Sequence, residues 1–349
     1  MNHLLQVQQL LIPDLIEKMY RRYLILDTIH LHQPIGRRAL SDILLITERV
    51  LRTEIDLLKA QGLVNISSKG MTITESGIDL VSELRALMEG YAALESLSQQ
   101  IKTHYGLNEV IIVNGNVDTD DIVKNRLGEA ASNVLQRIVH DGDIVSVTGG
   151  STMLSVANQL KPLNKRITFT PARGGLGEEL SFQANAIVQQ MAEHGKCQFE
   201  VLYVPDQVSE EAYKTLVNEP SVKRVLHHIK HADVIIHGIG DALKMAKRRQ
   251  SSKDDFKTLD AQQAVAEAFG YYFNAKGDVV HKVRTVGIQL EDLNESMKII
   301  AVAGGSTKQH AIEAYLNVAP KHTILIIDSA VAHWLVNQIN QQALSTVSS

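Results

Sequence analysis

The chain has 349 residues, of which 44% are hydrophobic and 21% are charged, and its formal net charge is −4. This length exceeds one ordinary hydrophobic core, so we expect at least two domains. No apolar run approaches the roughly 18 residues of a membrane span, and the opening segment carries Asp14 and Glu17 without a cationic lead, so neither a membrane protein nor a secretory signal is predicted. The single cysteine, Cys197, excludes an internal disulfide and a cysteine-based zinc site, so we expect a cytoplasmic protein.

Residues 1–76 have the pattern of short helices followed by a pair of strands. A helix is predicted from Arg37 to Leu44, followed by a turn at Leu45-Ile46 and a second helix with Thr47 as its N-cap. The apolar stripe of that second helix consists of Leu51, Ile55 and Leu58. The stretch "LVNISSKGMTITESG" alternates around a Ser-Lys-Gly turn, which predicts a hairpin. This order of elements is typical of a winged helix-turn-helix domain.

Charge distinguishes this region from the rest of the chain. Between Lys18 and Lys69 there are nine lysines and arginines against five acidic residues, a local net charge of +4. A basic region on an acidic chain is what contact with DNA requires. The alternative is a solvated face in a protein-interaction module.

Residues 77–106 are predicted to form a helix that links the first region to the third. Apolar residues recur at steps of four and three, as in a coiled coil, although Gly90 and Ser98 weaken the pattern. The positions of this seam are Leu80, Leu84, Leu87, Tyr91, Leu94, Ser98 and Ile101. Either the helix pairs with its copy in a dimer, or it packs on its own chain. We favour the dimer, because a protein that reads the major groove usually works as one.

Residues 107–349 alternate strand-like apolar runs with helical stretches. The strand-like runs are "EVIIVNG", "DIVSVTG", "RITFTPARG", "QFEVLYVP", "ADVIIHGIG", "MKIIAVAGG" and "HTILIIDS". Strands without polar alternation are buried on both faces, so we predict an α/β domain with a mainly parallel sheet covered by helices. Only the last five residues, "STVSS", are predicted to be disordered.

Four loops at predicted strand ends have the composition of ligand-binding loops, since ligands bind at the carboxyl ends of parallel strands. In "TGGST" (Thr148–Thr152) the glycines let backbone amides approach an anion, two hydroxyls can donate, and the next helix brings its positive end. In "PARGGLGEE" the guanidinium of Arg173 can donate two hydrogen bonds to a phosphate. The stretch "AVAGGSTK" repeats Gly-Gly-Ser-Thr and adds Lys308, and the fourth loop is "HGIGDA". Two copies and an arginine loop predict an anion site.

The ligand predicted for these loops is a small phosphorylated metabolite. Neither a dinucleotide fingerprint nor a Gly-x-x-x-x-Gly-Lys-Ser/Thr motif is present, and the histidines lack a metal-site pattern, so no cofactor or metal is expected. Glu267 could accept hydrogen bonds from sugar hydroxyls, or it could end a surface helix. Gln183 is predicted in the helix after the Arg173 loop, within reach of the same pocket. The run Lys247-Arg248-Arg249 is either a solvated face or the source of one arginine for a second phosphate.

An enzyme on this scaffold would need an acid–base pair near the phosphate. His237 and Asp241, with Glu267, are the available groups, and their spacing does not demand catalysis. A DNA-binding region joined to a metabolite pocket instead favours a ligand-responsive repressor. The rival hypothesis is a sugar-phosphate isomerase or deaminase with a regulatory amino-terminal extension.

The loops "TGGST", "PARGGLGE", "HGIGDA", "EAFGYYFN" and "AVAGGSTK", together with "QPIGRRALSDILLITERVLRTEIDLLK", resemble the SorC/DeoR-type sugar-responsive regulators over nearly the whole chain. The resemblance implies a carboxy-terminal domain similar to sugar-phosphate isomerases and glucosamine-6-phosphate deaminases that acts without catalysis. It also implies a homodimer or homotetramer that binds operator DNA and represses an operon for the triose-phosphate steps of glycolysis. The implied effector, which lowers the affinity for DNA, is fructose 1,6-bisphosphate or another glycolytic sugar phosphate.

The same resemblance assigns roles to residues. One phosphate is expected on Gly149, Gly150, Ser151 and Thr152, with Lys308 nearby. The sugar and the other phosphate are expected on the Arg173 loop, Gln183, Arg248 and Glu267. The DNA contacts are expected at Arg37, Arg38, Thr47, Arg49 and Arg52. The expected domains are residues 1–76 for DNA binding, 77–106 for linkage or dimerisation, and 107–349 for the effector.

Overall fold

A computed structural model describes residues 14–176 and 179–347, with the backbone alone for residues 345–347. The chain divides into two compact units, Met1–Glu95 and Ser96–Ser349. The division predicted from the sequence, at residues 76 and 106, stays a prediction. The sequence interpretations of residues 1–13, of Gly177 and Glu178, and of Ser348 and Ser349 lie outside the described residues. Within those residues, no helix is both long enough and apolar enough to cross a bilayer.

The amino-terminal unit has the helix, turn, helix and hairpin order of a winged helix-turn-helix domain, which confirms the predicted fold. Its elements are α1 (Leu15–His32), α2 (Arg37–Leu44), α3 (Glu48–Ala60), β1 (Val64–Ser67), β2 (Gly70–Ile73) and the first part of α4 (Glu75–Tyr105). The two strands are antiparallel, with Val64 opposite Ile73. Leu51 and Ile55 of α3 are completely buried, as the apolar stripe predicts, and each such side chain contributes about 1.5–3 kcal/mol on burial. The polar face of α3 is thereby left to solvent.

The helix α4 covers almost the same residues as the linking helix predicted from the sequence. Leu80, Leu84 and Leu87 of the predicted seam pack on the core of the amino-terminal unit. Ser98 is buried in the carboxy-terminal unit, where its hydroxyl donates to the Val110 carbonyl at 2.6 Å, and Ile101 is completely buried. These seam positions therefore pack on their own chain, which is the alternative that the sequence left open. Dimerisation through the helix stays a prediction.

The carboxy-terminal unit is built on a seven-stranded sheet in which every neighbouring pair is parallel, so the predicted fold class is confirmed. The strands are β3 (Glu109–Val113), β4 (Ile144–Val147), β5 (Thr168–Pro171), β6 (Gln198–Phe199), β7 (Val234–Gly238), β12 (Lys298–Val302) and β13 (Thr323–Asp328), in the order β3-β13-β12-β7-β4-β5-β6. The chain moves outward from β4 in one direction and outward from β7 in the other. The neighbours β4 and β7 therefore form a topological switch point, where parallel sheets open a crevice for ligands.

Helices connect and cover these strands. They are α5 (Asp121–Ile138), α6 (Ser151–Gln159), α7 (Ala184–Gly195), α8 (Glu210–Leu216), α9 (Pro220–Lys230), α10 (Ala242–Arg248), α11 (Lys253–Ala261), α12 (Gln309–Leu316) and α13 (Ser329–Val347). Short 3-10 turns lie at Leu180–Phe182, Leu290–Asp292 and Ser306–Lys308. The helix α13 continues to Val347, so the disorder predicted for residues 345–347 is wrong.

A second, antiparallel sheet was not predicted from the sequence. Its strands β8 (Gly240–Asp241), β9 (Ala264–Ala268), β10 (Tyr271–Asn274) and β11 (Val279–Lys282) lie in the order β11-β10-β9-β8. Glu267 lies in β9 opposite Tyr272 and is 4% exposed, so its interpretation as the end of a surface helix is wrong. The sheet places this carboxylate beside the carboxyl end of β7.

Candidate functional site

A cavity of about 550 Å³ lies at the switch point between β4 and β7, in the size range of small-molecule sites. Eight of the nine residues predicted to bind an effector line it, namely Gly149, Gly150, Ser151, Thr152, Arg173, Arg248, Glu267 and Lys308. They come from loops after β4, β5 and β12, from the end of α10 and from β9. The parallel topology explains this convergence, because it brings the carboxyl ends of separate strands to one edge of the sheet.

The first glycine loop (Thr148–Thr152) presents the amino end of α6 to the cavity. Gly150 has φ 115°, and its amide donates to the Phe182 carbonyl at 2.8 Å. A Cβ on Gly149 would lie 2.6 Å from the same carbonyl, so the close approach requires glycine. The first bond of the helix runs from the Leu154 amide to the Gly150 carbonyl, which leaves the amides of Ser151 and Thr152 without a partner in the helix. With the helix dipole and two hydroxyls, this loop can bind a phosphate.

Positive charge predominates around the cavity. Among the described residues that line it, six are cationic and three are acidic. The cations are Lys124, Arg173, Lys244, Lys247, Arg248 and Lys308, and the carboxylates are Asp118, Asp241 and Glu267. Burial lowers the pKa of Lys308, and the positive charges of Arg248, Lys124 and Lys244 lower it further against the opposing effect of Asp118. An anion bound at this site would therefore stabilise the charged form of Lys308.

The second glycine loop (Gly304–Lys308) differs from the first, because carboxylates of the chain itself bind several of its donors, and its role in binding a phosphate stays a prediction. The Gly305 amide donates to Asp328 Oδ2 at 2.7 Å, and the Thr307 amide donates to Asp118 Oδ2 at 2.8 Å. The Thr307 hydroxyl also donates to Asp118 Oδ1 at 3.2 Å. Carboxylates of the chain itself thus take up two amides and one hydroxyl of this loop, while Gly304, Thr307 and Lys308 line the cavity.

Gln183 is the predicted effector residue that does not line the cavity. The helix expected over this segment begins only at Ala184, after the 3-10 turn Leu180–Phe182, and Gln183 is its extended N-cap residue with φ −73° and ψ 142°. Its Oε1 lies 3.4 Å from the place of a Cβ on Gly175, against the backbone of the Arg173 loop. The prediction that it lies within the helix is wrong, because the turn rather than the helix follows the loop.

Glu267 is the buried carboxylate of the cavity wall. Its Oε1 accepts from Arg249 Nη2 at 2.8 Å and from the Gly270 amide at 2.7 Å. Burial raises its pKa, but the positive charges of Arg249 and Arg173 and these hydrogen bonds outweigh that effect and leave the pKa below its usual value. Glu267 is therefore an ionised hydrogen-bond acceptor at neutral pH.

His237 and Asp241, the groups that the sequence offered for acid–base chemistry, both make hydrogen bonds within the chain. His237 is 1% exposed, its Nδ1 donates to the Gly238 carbonyl at 3.0 Å, and its Nε2 accepts from the Tyr315 hydroxyl at 3.0 Å. Burial lowers the pKa of His237 to about 4, so the ring is neutral at physiological pH. Asp241 caps α10 by accepting from the Lys244 amide at 2.9 Å. The bonds of His237 are structural, whereas Asp241 caps the helix with one carboxylate oxygen and also lines the cavity.

In the amino-terminal unit, the residues predicted to contact DNA are all exposed. Arg37 and Arg38 begin α2, and Arg49 and Arg52 lie on the polar face of α3. The Thr47 hydroxyl accepts from the Val50 amide at 3.4 Å, so Thr47 is the N-cap of α3 as predicted. On the opposite face, Glu54 is paired with Arg22 at 2.8 Å, which fastens α3 to α1. The arginines of α2 and α3 are exposed to solvent, and Arg52 lies 4.0 Å from Asp56 Oδ2 on the same helix face.

Sequence reasoning missed three of the charged residues at the cavity. Lys124 lies in the first turn of α5, Lys244 in the first turn of α10, and Asp118 in the loop after β3. For Lys244 a signal existed, since it follows the N-cap Asp241 of "HGIGDA" by one helical turn. For Lys124 and Asp118 the signal was absent, because β3 is an edge strand and its loop was not expected to reach the switch point.

Two family models match the chain. One describes a sugar-binding domain and matches residues 90–337, and the other describes the CggR N-terminal DNA binding domain and matches residues 18–88.

Relatives of known description are similar over almost the whole length. The central glycolytic genes regulator of Priestia megaterium (strain DSM 319 / IMG 1521) is 46% identical over 343 residues, which cover 97% of this chain and all of the relative. The regulator of the same name in Bacillus subtilis (strain 168) is 47% identical over 338 residues, covering 96% of this chain and 99% of the relative. Among solved structures, a protein of Enterococcus faecalis described as a SorC family transcriptional regulator is 40% identical, with a TM-score of 0.65, over 68% of this chain and 98% of that chain.

Proposed function

This chain belongs to the SorC family of transcriptional regulators, and on that premise we propose that it represses a glycolytic operon until fructose 1,6-bisphosphate, bound in the cavity, weakens its grip on operator DNA. The amino-terminal unit is a DNA-binding domain, and the carboxy-terminal unit is a sugar-binding domain. Because the relatives described above are transcriptional regulators with a DNA-binding domain, the protein is not an enzyme. The carboxy-terminal unit therefore binds a sugar ligand and does not catalyse a reaction.

The observation that carries the proposal is the charge of the cavity around the amino end of α6. Six cations face three carboxylates there, beside amides and hydroxyls of the first glycine loop. Two phosphate monoesters on one sugar carry about −3 to −4 at pH 7. In this proposal, one phosphate binds Gly149–Thr152 with Lys308, and the other binds Arg173 and Arg248. This charge balance favours a bisphosphate over a sugar with one phosphate.

The experiment that tests the proposal measures DNA binding in the presence of candidate effectors. The protein first selects its preferred duplex from a random pool, and the affinity for that labelled duplex is then followed by fluorescence anisotropy. We expect fructose 1,6-bisphosphate to weaken binding at concentrations where glucose 6-phosphate and dihydroxyacetone phosphate have smaller effects. If none of these compounds changes the affinity, the proposal is wrong. A larger effect of another sugar phosphate would refute fructose 1,6-bisphosphate as the effector.

The proposal includes a homodimer or homotetramer that acts on DNA in the cytoplasm. A helix-turn-helix protein that recognises two half-sites needs two copies with matching spacing. Light scattering of the protein with and without the selected duplex tests this part. A monomer in both samples would contradict it and would leave the effector experiment interpretable.

A further inference from the structure

A buried charge cluster lies directly behind the cavity wall, centred on Arg249. Its side chain is 0% exposed, although its neighbour Arg248 lines the cavity. The guanidinium donates from Nη2 to Glu267 Oε1 at 2.8 Å, from Nε to Asp206 Oδ2 at 3.3 Å and from Nη1 to the Tyr272 hydroxyl at 3.1 Å. One arginine thus serves three acceptors from three different segments.

This arrangement decides which oxygen of Glu267 the cavity receives. Oε1 accepts from Arg249 and from the Gly270 amide, so two donors already take it. Oε2 points towards Gly240, a residue of the cavity wall, and lies 3.2 Å from the place that a Cβ on Gly240 would occupy. A hydroxyl of a bound ligand would therefore meet an oriented, ionised oxygen, and the absence of a side chain at Gly240 leaves room beside that oxygen.

Arg249 also connects this wall to the loop that carries Arg173. Its second carboxylate partner, Asp206, is 1% exposed, and the Asp206 amide donates to the Gly175 carbonyl at 2.9 Å. The Gly175 amide donates in turn to the Val204 carbonyl at 2.8 Å. The segment of Asp206 and the Arg173 loop are thus hydrogen-bonded to each other, and Arg249 bridges them to β9.

The chemistry of the cluster requires arginine. Removal of the guanidinium would leave two carboxylates buried without their counter-charge, which is strongly unfavourable. The planar fork of arginine serves several acceptors at fixed angles, whereas the ammonium of lysine is a single point charge on a flexible stem. Asp206 Oδ1 is buried without a hydrogen-bond partner among the described residues, so Arg249 is the main compensation of that charge.

We propose that Arg249 is a positioning residue that makes the cavity selective for a hydroxylated bisphosphate, because it holds Glu267 with Oε2 directed at the ligand's hydroxyl groups. The inference rests on the proposed function, in which the glycine loop and the lysines bind the phosphates. The cations that bind the phosphates make no hydrogen bond to Arg249, and the Arg173 loop keeps its backbone hydrogen bonds to the segment of Asp206 when Arg249 is replaced. Loss of Arg249 therefore removes the discrimination between a sugar and a plain carbon chain, and phosphate binding persists.

The test compares two bisphosphates of equal chain length on the full-length protein by calorimetry. Fructose 1,6-bisphosphate carries hydroxyl groups, and 1,6-hexanediol bisphosphate carries none. We expect the wild-type protein to prefer the sugar by about tenfold or more, the worth of one charged hydrogen bond. Arg249→Met should lower the affinity for fructose 1,6-bisphosphate by about tenfold. The affinity of the same variant for 1,6-hexanediol bisphosphate should stay within about twofold of the wild-type value. Arg166→Met, at an exposed ion pair with Asp141, is the matched control and should change neither affinity.

A double-mutant cycle separates positioning from a general structural role. If Arg249 acts through Glu267, then Arg249→Met in a Glu267→Gln background should cause no further loss of sugar affinity. Arg249→Lys keeps the positive charge but loses the planar guanidinium, so it should lower the affinity for fructose 1,6-bisphosphate and not the affinity for 1,6-hexanediol bisphosphate. This variant serves as the test if Arg249→Met fails to fold. The inference would be overturned if the Arg249 variants lost affinity for both ligands equally. It would also be overturned if the losses in sugar affinity caused by Arg249→Met and Glu267→Gln were fully additive. Equal wild-type affinities for the two ligands would overturn the inference alone, whereas binding of neither ligand would overturn the proposed function as well.

Discussion

Replacement of Lys308 by methionine should weaken the effector without weakening the fold. Lys308 is half-buried at the cavity, and burial together with Arg248, Lys124 and Lys244 lowers its pKa. A positive charge is therefore unfavourable there until an anion arrives. Methionine retains most of the apolar stem and removes the charge, so we expect the melting temperature of the free protein to stay the same or rise.

The size of the effect on binding follows from what the variant retains. A hydrogen bond to a charged group contributes about 1.5–3 kcal/mol. Because the other cations of the cavity still surround the phosphate, we expect the lower half of that range. This corresponds to a loss of about 12–45-fold in affinity for fructose 1,6-bisphosphate, measured by titration calorimetry at pH 7.5.

The control for this variant is Lys276→Met, since Lys276 is exposed in the turn after β10 and does not line the cavity. It should leave both the affinity and the melting temperature unchanged. Unchanged affinity of Lys308→Met would refute the placement of a phosphate beside Lys308. A large drop in the melting temperature of the free variant would refute the reasoning that its neighbours disfavour the charge.

Three further predictions address the glycine loop, the DNA-binding helix and the pH dependence of binding. Gly149→Ala places a Cβ 2.6 Å from the Phe182 carbonyl and should destabilise the protein by about 1–3 kcal/mol in urea unfolding, whereas Gly90→Ala, with nothing within 4 Å, should not destabilise it. Arg52→Ala should lower the affinity for the selected duplex and reduce its salt slope by about 1, while the thermal shift caused by the sugar phosphate persists; loss of both would indicate misfolding instead. Effector affinity should rise from pH 5 to 7 as the phosphates lose their second proton near pKa 6, and it should fall in alkaline solution, because the lowered pKa of Lys308 in the free protein makes binding take up a proton there. When effector affinity is measured by calorimetry as a function of pH, Lys308→Met should remove only the fall in affinity in alkaline solution. If that fall persists in the variant, a group other than Lys308 causes it.

The sequence was sufficient for the elements whose pattern is set by burial. The inner strands of the parallel sheet are buried on both faces, so an apolar run such as "TILIID" of β13 reveals its strand without reference to its neighbours. The stripe of α3 and its N-cap Thr47 are equally local signals. The first glycine loop could be recognised because a strand end, two glycines, two hydroxyls and a helix start are consecutive in the chain.

The sequence was insufficient where residues far apart decide the outcome. The strand β9 is short, and its partner β10 follows directly, so "AVAEAFGYYFN" lacks the length that distinguishes a strand from the end of a helix. In the run Lys247-Arg248-Arg249, the periodicity does not show which arginine turns inward. That choice is made by Asp206 and Glu267, whose carboxylates hold Arg249 in the interior.

The two Gly-Gly-Ser-Thr loops illustrate the same limit within the site itself. Both follow a strand of the parallel sheet, and both have a glycine with positive φ, at Gly150 and Gly305. Beside the second loop lies Asp118, from a segment 189 positions earlier, and its carboxylate takes the Thr307 amide and hydroxyl. A carboxylate and a phosphate suit the same donors, so the loop that has an internal acid cannot offer those donors to a ligand without displacing it. The motif specifies a place for an anion, and the rest of the chain determines whether that anion is its own.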